Sequence, residues 1–214
     1  TLSVARDAGP SRLQIEHLDL DRLPDFKLPD AGSESAQDLP VVDVALRNLF
    51  QTGQRLGELS FVLHGQGGEF TAEKITGELA SLRLPAARPG RLVWHRGEPG
   101  YTELQASLDF DDLGQTLEYF DYQRMVETVG GNLEVQLRWP GAPQDFSLRE
   151  GQGVMQVKIG QGSFLEATPG ATGALRVVSI LNLAEIVQRL SLSHMFGSGI
   201  PFDTVDGEVA LHDG

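Results

Sequence analysis

The stretch GNLEVQLRWPG, residues 131–141, shows the pattern that decides the fold. Leu133, Val135, Leu137 and Trp139 alternate with polar residues along it. Because successive side chains of a strand point to opposite faces of a sheet, this alternation predicts a strand with one apolar face. The Pro-Gly pair that follows is typical of a turn. The stretch therefore predicts a strand that ends in a tight connection.

The same alternation recurs in residues 41–49, 58–65 and 102–110, and the segments between these are rich in glycine and proline. Short strands joined by such turns predict a mainly antiparallel meander. The apolar face of such a sheet is covered by helices or a second sheet, or it stays open on a curved sheet to receive lipid or a partner. The residues predicted to lie on this face are Val42, Val44, Leu46, Leu59, Phe61, Leu63, Leu104, Leu108, Leu133, Val135 and Leu137.

Two segments break the alternation and predict helices. The first begins behind Asp111 or Asp112 as an N-cap and ends before Gly130. Its apolar residues at helical spacing are Leu113, Leu117, Phe120 and Met125. The second runs from about residue 174 to residue 190, and its apolar residues cover most of a helix surface, so we expect it to pack against something. Its candidate residues are Leu175, Val178, Leu181, Ile186 and Leu190.

Composition excludes several classes of function. The chain has a net charge of −13 and no cluster of basic residues, which argues against binding of nucleic acid. It has no cysteine, so disulfides and thiolate chemistry are excluded. Its five histidines lack the spacing of metal ligands, and no nucleophile motif or phosphate-binding loop is complete. We therefore expect no catalytic residue, no metal site and no cofactor.

Three groups of residues form motifs at a characteristic spacing. The first runs from a strand to a turn: Gly162, Phe164, Leu165, Glu166, Pro169 and Gly170. The second follows the predicted second helix: Phe196, Gly199, Phe202, Asp203, Val205 and Gly207. The third is a strand pair upstream: Gly131, Leu133, Leu137, Trp139, Gly141, Pro143 and Phe146. Together these motifs resemble those of the AsmA-like envelope proteins, and the resemblance is strongest over residues 100–214.

The resemblance implies a curved antiparallel β-groove shaped like a taco or open barrel, with about two α-helices. It implies a non-enzymatic protein, anchored in the inner membrane and spanning the periplasm, in which phospholipid acyl chains move along the groove toward the outer membrane. Components of either membrane are possible partners. The predicted helix at 174–190 would then gate or cap the groove, or it would simply complete a local core. A carboxylate on the apolar face, introduced by Val135→Asp or Phe61→Asp, is expected to stop transport without unfolding the protein.

The domain organisation follows from the same considerations. We interpret residues 1–214 as a fragment of a longer protein that lacks the membrane anchor. The polar segment 27–40 is expected to be a mobile loop. Two other functions stay open: an envelope scaffold that recognises a partner's strand or helix, and a glycan hydrolase with two carboxylates in a cleft.

Overall fold

The computed structural model describes residues 2–5, 11–22, 39–119, 122–147, 149–165 and 200–212. These residues form β-strands and one α-helix, α1 (Leu113–Tyr119). The strands are β1 (Leu2–Ala5), β2 (Ser11–Ile15), β3 (Leu18–Asp19), β4 (Leu39–Gln51), β5 (Gln54–Gln66), β6 (Glu69–Leu79), β7 (Leu82–Leu84), β8 (Gly90–His95), β9 (Tyr101–Phe110), β10 (Val126–Thr128), β11 (Gly131–Pro140), β12 (Gln152–Ile159), β13 (Gly162–Phe164), β14 (Ile200–Phe202) and β15 (Val205–Leu211).

Twelve strands form one large sheet, which confirms the predicted mainly β fold. Its order is β1-β2-β4-β5-β6-β7-β9-β11-β12-β15, with β3 beside β4 and β8 between β6 and β9. The path runs from β1 to β15 without closing, so the sheet is open, consistent with a curved groove.

The pairing departs from the predicted antiparallel meander at one place. Strands β2 and β3 both run parallel to β4, with Leu13 opposite Val44 and Leu18 opposite Leu49. A tight hairpin cannot join parallel strands, which need a crossover connection of about a dozen residues or more. The segment between β2 and β4 is long enough for such a crossover. The alternation that predicted the strands carries no information about their direction, so the parallel pairing was not predicted.

The bend of the sheet is marked by glycines inside strands. Gly57 in β5 and Gly77 in β6 have φ values of +146° and +137°. A Cβ at Gly57 would overlap the carbonyl oxygen of Glu78, and one at Gly77 would overlap that of Glu58. Only glycine permits this close approach, and the pairing of β4, β5 and β6 also contains register shifts. Glycine kinks and bulges are the devices by which sheets curve.

A second, three-stranded sheet with the order β10-β13-β14 lies at one end of the large sheet. Together with the start of α1 it covers a buried cluster of the large sheet, which we call the covered end. Its buried members are Phe110, Val157, Ile159 and Val205, and Leu113, Phe164 and Phe202 pack against them from the cover. The covered end is therefore a conventional two-layer core.

The predicted helix behind Asp112 is present but much shorter than expected. Asp112 accepts a hydrogen bond from the backbone N–H of Gly114 at 2.9 Å, which is the expected N-cap contact. The predicted continuation to Gly130 is wrong because residues 126–128 form β10. The N–H of Leu113 donates to the Thr128 hydroxyl at 2.9 Å, so the chain folds back onto the start of the helix. The mobile loop at 27–40, up to residue 38, and the helix at 174–190 lie outside the described residues.

Candidate functional site

One row of paired residues crosses the large sheet from β2 to β15. We call it the central row: Ser11, Val42, Leu63, Ala72, Leu92, Leu104, Leu137, Gly153 and Leu211. Directly paired residues point to the same face of a sheet, so these side chains share one face. Seven strand intervals separate Val42 from Leu211, which corresponds to about 34 Å. The central row is thus a continuous strip with no charged residue.

The eleven residues predicted to line the apolar face all lie on the face of the central row. Val44 pairs with Phe61 and Leu46 pairs with Leu59, beside the row, and Leu108 pairs with Leu133. Val44, Val135 and Leu137 are buried, whereas the other eight side chains are half-buried. The structure therefore brings the predicted residues together on one surface, which we call the apolar face.

The apolar face carries no Asp, Glu, Lys or Arg at the paired positions of the described strands β2, β4 to β9, β11, β12 and β15. The charged side chains of these strands occupy the opposite face. There Arg88, which precedes β8, contacts Asp109 at 2.5 Å and Glu134 at 2.9 Å. The hydrogen bond to Asp109 and the nearby negative charges raise the pKa of Arg88. One face is thus apolar and the other ionic.

Toward the start of β9 the apolar face has no second layer among the described strands and helix, and we call this region the open end. Val135, Leu137 and Trp139 are buried there. The residues packed around them are partly exposed members of the same sheet, including Leu92 and Leu104. The curvature of the sheet brings these neighbours together, so they shield one another only in part. Outside the sheet, Phe146 of the β11–β12 connection contacts Trp139, with ring centroids 5.1 Å apart.

The border of the open end is rich in aromatic residues. A second row of pairs runs along it: Leu39, Gly65, Phe70, Trp94, Thr102 and Trp139, which we call the rim row. Phe70 and Trp94 stack with ring centroids 5.6 Å apart, and the guanidinium of Arg96 lies 5.6 Å from each ring. The rim row therefore combines apolar rings with a cation where the sheet meets solvent.

A cleft of about 690 Å³ lies at the same border, between the start of β9, the end of β11 and the start of β12. Its wall includes Tyr101 and Arg138, which the pairing of β9 with β11 places on the face opposite the apolar face, together with Trp139 and Arg149. The guanidinium of Arg138 lies 3.8 Å from the centre of the Tyr101 ring. We call this feature the rim cleft.

Two further searches covered only the described part of the chain. They find no group of three or more His, Asp or Glu side chains that could hold a metal ion. They also find no helix with the length and apolar character needed to cross a membrane.

Comparison with known families gives one result. A family model described as YhdP protein matches residues 1–214. The chain belongs to the YhdP protein family. The match includes the region before residue 100, where the sequence motifs gave little. Searches among curated proteins and among solved structures found no match.

Sequence reasoning about this YhdP family chain missed part of the apolar face. Ala72 and Leu92 belong to the central row, and Phe70 and Trp94 belong to the rim row. A signal was present in the segment RLVWH, where Leu92 and Trp94 are two residues apart and so share one face of a strand. The rim cleft could not be found in this way, because it joins the β8–β9 connection to the β11–β12 connection, which are distant in the sequence.

Proposed function

We propose that this chain is a non-enzymatic segment of a phospholipid transport protein, in which acyl chains lie on the apolar face and move along the central row. The observation that carries the proposal is the continuity of that row over about 34 Å, without a charge and with most of its side chains half-buried. An acyl chain fills half of the ~30 Å hydrocarbon core of a bilayer, or roughly 15 Å. The row is therefore about twice as long as an acyl chain.

The physical basis of transport is the absence of directional bonds. Burial of apolar surface stabilises a bound acyl chain by about 25 cal/mol per Å², whichever apolar atoms supply the contact. Val42, Leu63, Leu92 and Leu104 offer similar contacts at successive strands. A chain that slides by one strand exchanges one set of contacts for an equivalent set, so the barriers along the row are low.

The cellular setting is part of the same proposal. We place the segment in the periplasm, as part of a protein anchored in the inner membrane that carries phospholipid between the two membranes. In that setting components of either membrane are partners at the ends of the groove. The transport supports the barrier function of the outer membrane.

The experiment uses a pair of neighbouring residues on opposite faces of β5. Phe61→Asp places a carboxylate on the apolar face, where contact with an acyl chain would cost several kcal/mol of desolvation. Ser60→Asp adds the same charge to the opposite face, opposite the uncharged Ala45 and Thr76. Native mass spectrometry of both variants, purified from a bacterial envelope, measures the bound phospholipid.

We expect lipid on the wild type and on Ser60→Asp, and none on a folded Phe61→Asp variant. Circular dichroism and thermal unfolding check the fold. Equal lipid on both variants would contradict our assignment of the apolar face. A wild type that is free of lipid, monomeric and stable would favour the scaffold function instead.

The structure changes the earlier expectation for Val135. Its side chain is only 6% exposed and lies between Ala106 and Met155 on the apolar face. An aspartate there would be buried without a partner, so we now expect Val135→Asp to unfold the protein. Phe61, which is half-buried, is the more informative position.

A further inference from the structure

We infer that Arg96 binds the phosphate of a phospholipid at the border of the apolar face, so that the head group lies beside the rim row and the acyl chains lie on the central row. The inference rests on the proposed function and adds to it the orientation of the bound lipid. It starts from Phe70 and Trp94, which are direct partners in the pairing of β6 with β8. Both belong to the rim row, two residues along their strands from Ala72 and Leu92 of the central row.

The charge of Arg96 lies on the same side of the sheet as these two rings. Its guanidinium carbon is 5.6 Å from the centroid of the Phe70 ring and 5.6 Å from that of the Trp94 ring. Arg96 follows Trp94 by two residues, which is the spacing of side chains on one face of an extended chain. The adjacent carboxylate, Glu69, points to the opposite face, where it contacts Nδ1 of His95 at 3.2 Å. The border of the apolar face thus carries a positive charge in a chain whose net charge is −13.

The backbone around this site holds the aromatic rings and residue 96 in position. A Cβ at Gly65, the partner of Phe70 in β5, would lie 2.8 Å from the Phe70 ring, so the ring lies directly against the backbone of that glycine. The backbone N–H of Arg96 donates to the carbonyl of Gly68 at 2.9 Å, which ties the end of β8 to the turn between β5 and β6. Groups that are held in place before binding lose little conformational entropy when a ligand binds.

The chemistry of the site suits a phospholipid. The five N–H donors of a guanidinium group lie in one plane and bind phosphate oxygens in a bidentate manner, with charge-assisted hydrogen bonds. Tryptophan is enriched where an apolar region meets water, which is the boundary between acyl chain and head group. The rim row lies two residues, or about 7 Å, from the central row. An acyl chain of roughly 15 Å that starts at the rim row therefore reaches the central row.

The first test measures the orientation of the lipid by fluorescence quenching. Both tryptophans of the chain, Trp94 and Trp139, belong to the rim row, so the emission of the unaltered protein reports this depth. Phosphatidylglycerol with bromine near the carbonyl end of its acyl chains is compared with the same lipid brominated near the methyl end, each in the same non-ionic detergent. We expect the first lipid to quench the emission more strongly. Equal quenching, the reverse order, or no quenching by a lipid that native mass spectrometry shows to be bound would overturn the inference.

The second test removes the cation. Arg96→Gln is compared with Arg91→Gln, which removes a positive charge from β8 on the opposite face, where Arg91 pairs with Gln105. Native mass spectrometry measures the affinity of each for dioleoyl phosphatidylglycerol and for dioleoylglycerol, which lacks the phosphate. We expect the wild type and Arg91→Gln to bind the phospholipid about tenfold or more tightly than the diacylglycerol. Arg96→Gln should lose most of this difference and keep the wild-type affinity for the diacylglycerol.

The ratio of the two affinities separates phosphate binding from packing. If Arg96 serves only to support the rings, Arg96→Gln will weaken the binding of both lipids equally and leave the ratio unchanged, and the inference is wrong. Equal changes of the ratio in Arg96→Gln and Arg91→Gln would show a general effect of charge and would also overturn it. Failure of the wild type to bind either lipid would instead overturn the proposed function, and the inference with it.

Discussion

The two ends of the large sheet show the same alternation of apolar and polar residues but differ in what lies on the apolar face. At the covered end, α1 and the three-stranded sheet place Leu113, Phe164 and Phe202 over Phe110 and its neighbours. At the open end, Trp139 contacts Phe146 of the β11–β12 connection, and its other packing neighbours belong to its own sheet. The difference teaches that the same alternation of apolar and polar residues supports a two-layer core at one end and, among the described strands and helix, a single layer at the other.

The largest expected effect tests this difference directly. Phe110 is 2% exposed at the covered end, so Phe110→Ala should lower the free energy of unfolding by about 3–5 kcal/mol. Leu104 is half-buried at the open end, and Leu104→Ala should cost about 1 kcal/mol. Urea denaturation of the two variants measures both values.

The pair of variants also has a clear contrary outcome. If Leu104→Ala were as costly as Phe110→Ala, the open end would be a core covered by another part of the chain. Added phospholipid sharpens the comparison, since a ligand that binds only the folded state raises its stability. It should stabilise Phe110→Ala as it does the wild type, and stabilise Leu104→Ala less.

A smaller effect is expected from the contact that brings the cover close to its strand. A Cβ at Gly114 in α1 would overlap the carbonyl oxygen of Val126 in β10. Because the backbone of α1 or of β10 would have to shift to relieve this overlap, Gly114→Ala should lower the free energy of unfolding by about 1–3 kcal/mol. Gly53→Ala is the control for backbone strain without a steric overlap, because Gly53 has open space around it but a φ of +77°.

Thermal unfolding and amide hydrogen exchange measure this effect. Exchange should accelerate in β10 and β13 and stay unchanged in β8, whose Leu92 packs at the open end. Faster exchange throughout the sheet would show that the covered end and the open end unfold as one unit, and that the distinction between them has no energetic basis.

The alternation in the sequence was sufficient to predict the main strands and their common face. Leu104, Leu137 and their partners follow the period of two, and a single slip in register would have moved all of them to the opposite face. The same pattern is silent about direction, which is why the parallel pairing of β2 with β4 was missed. Parallel and antiparallel strands present the same side-chain alternation.

The cover of the sheet was harder to predict for a different reason. Leu113, Leu117 and Met125 fit a helical period, yet the segment Val126–Thr128 forms a strand with β13, far along the chain. Long-range pairing overrode the local preference there. The rim cleft depends on the β8–β9 and β11–β12 connections, which meet only in the folded protein, so no local pattern could reveal it.

The smallest expected effect concerns the ion pair that joins β7 to the residue before the N-cap of α1. Nη2 of Arg83 donates to Oδ1 of Asp111 at 2.8 Å, and Nη1 of Arg83 donates to Oδ2. The hydrogen bond to Arg83 lowers the pKa of Asp111 below its ordinary value of 3.8. A lowered pKa stabilises the folded state above the unfolded pKa, and this contribution is lost as the pH falls through the folded pKa, below about pH 4.

Arg83→Gln should therefore raise the pKa of Asp111 toward 3.8, as measured by an NMR titration of its carboxyl carbon. Arg91→Gln, on the neighbouring strand β8, should leave that pKa unchanged. Because the Asp111 side chain is 77% exposed, added salt should reduce the difference, and the loss of stability in acid should be small. An Asp111 pKa that does not respond to Arg83→Gln would mean that this pair does not persist in solution.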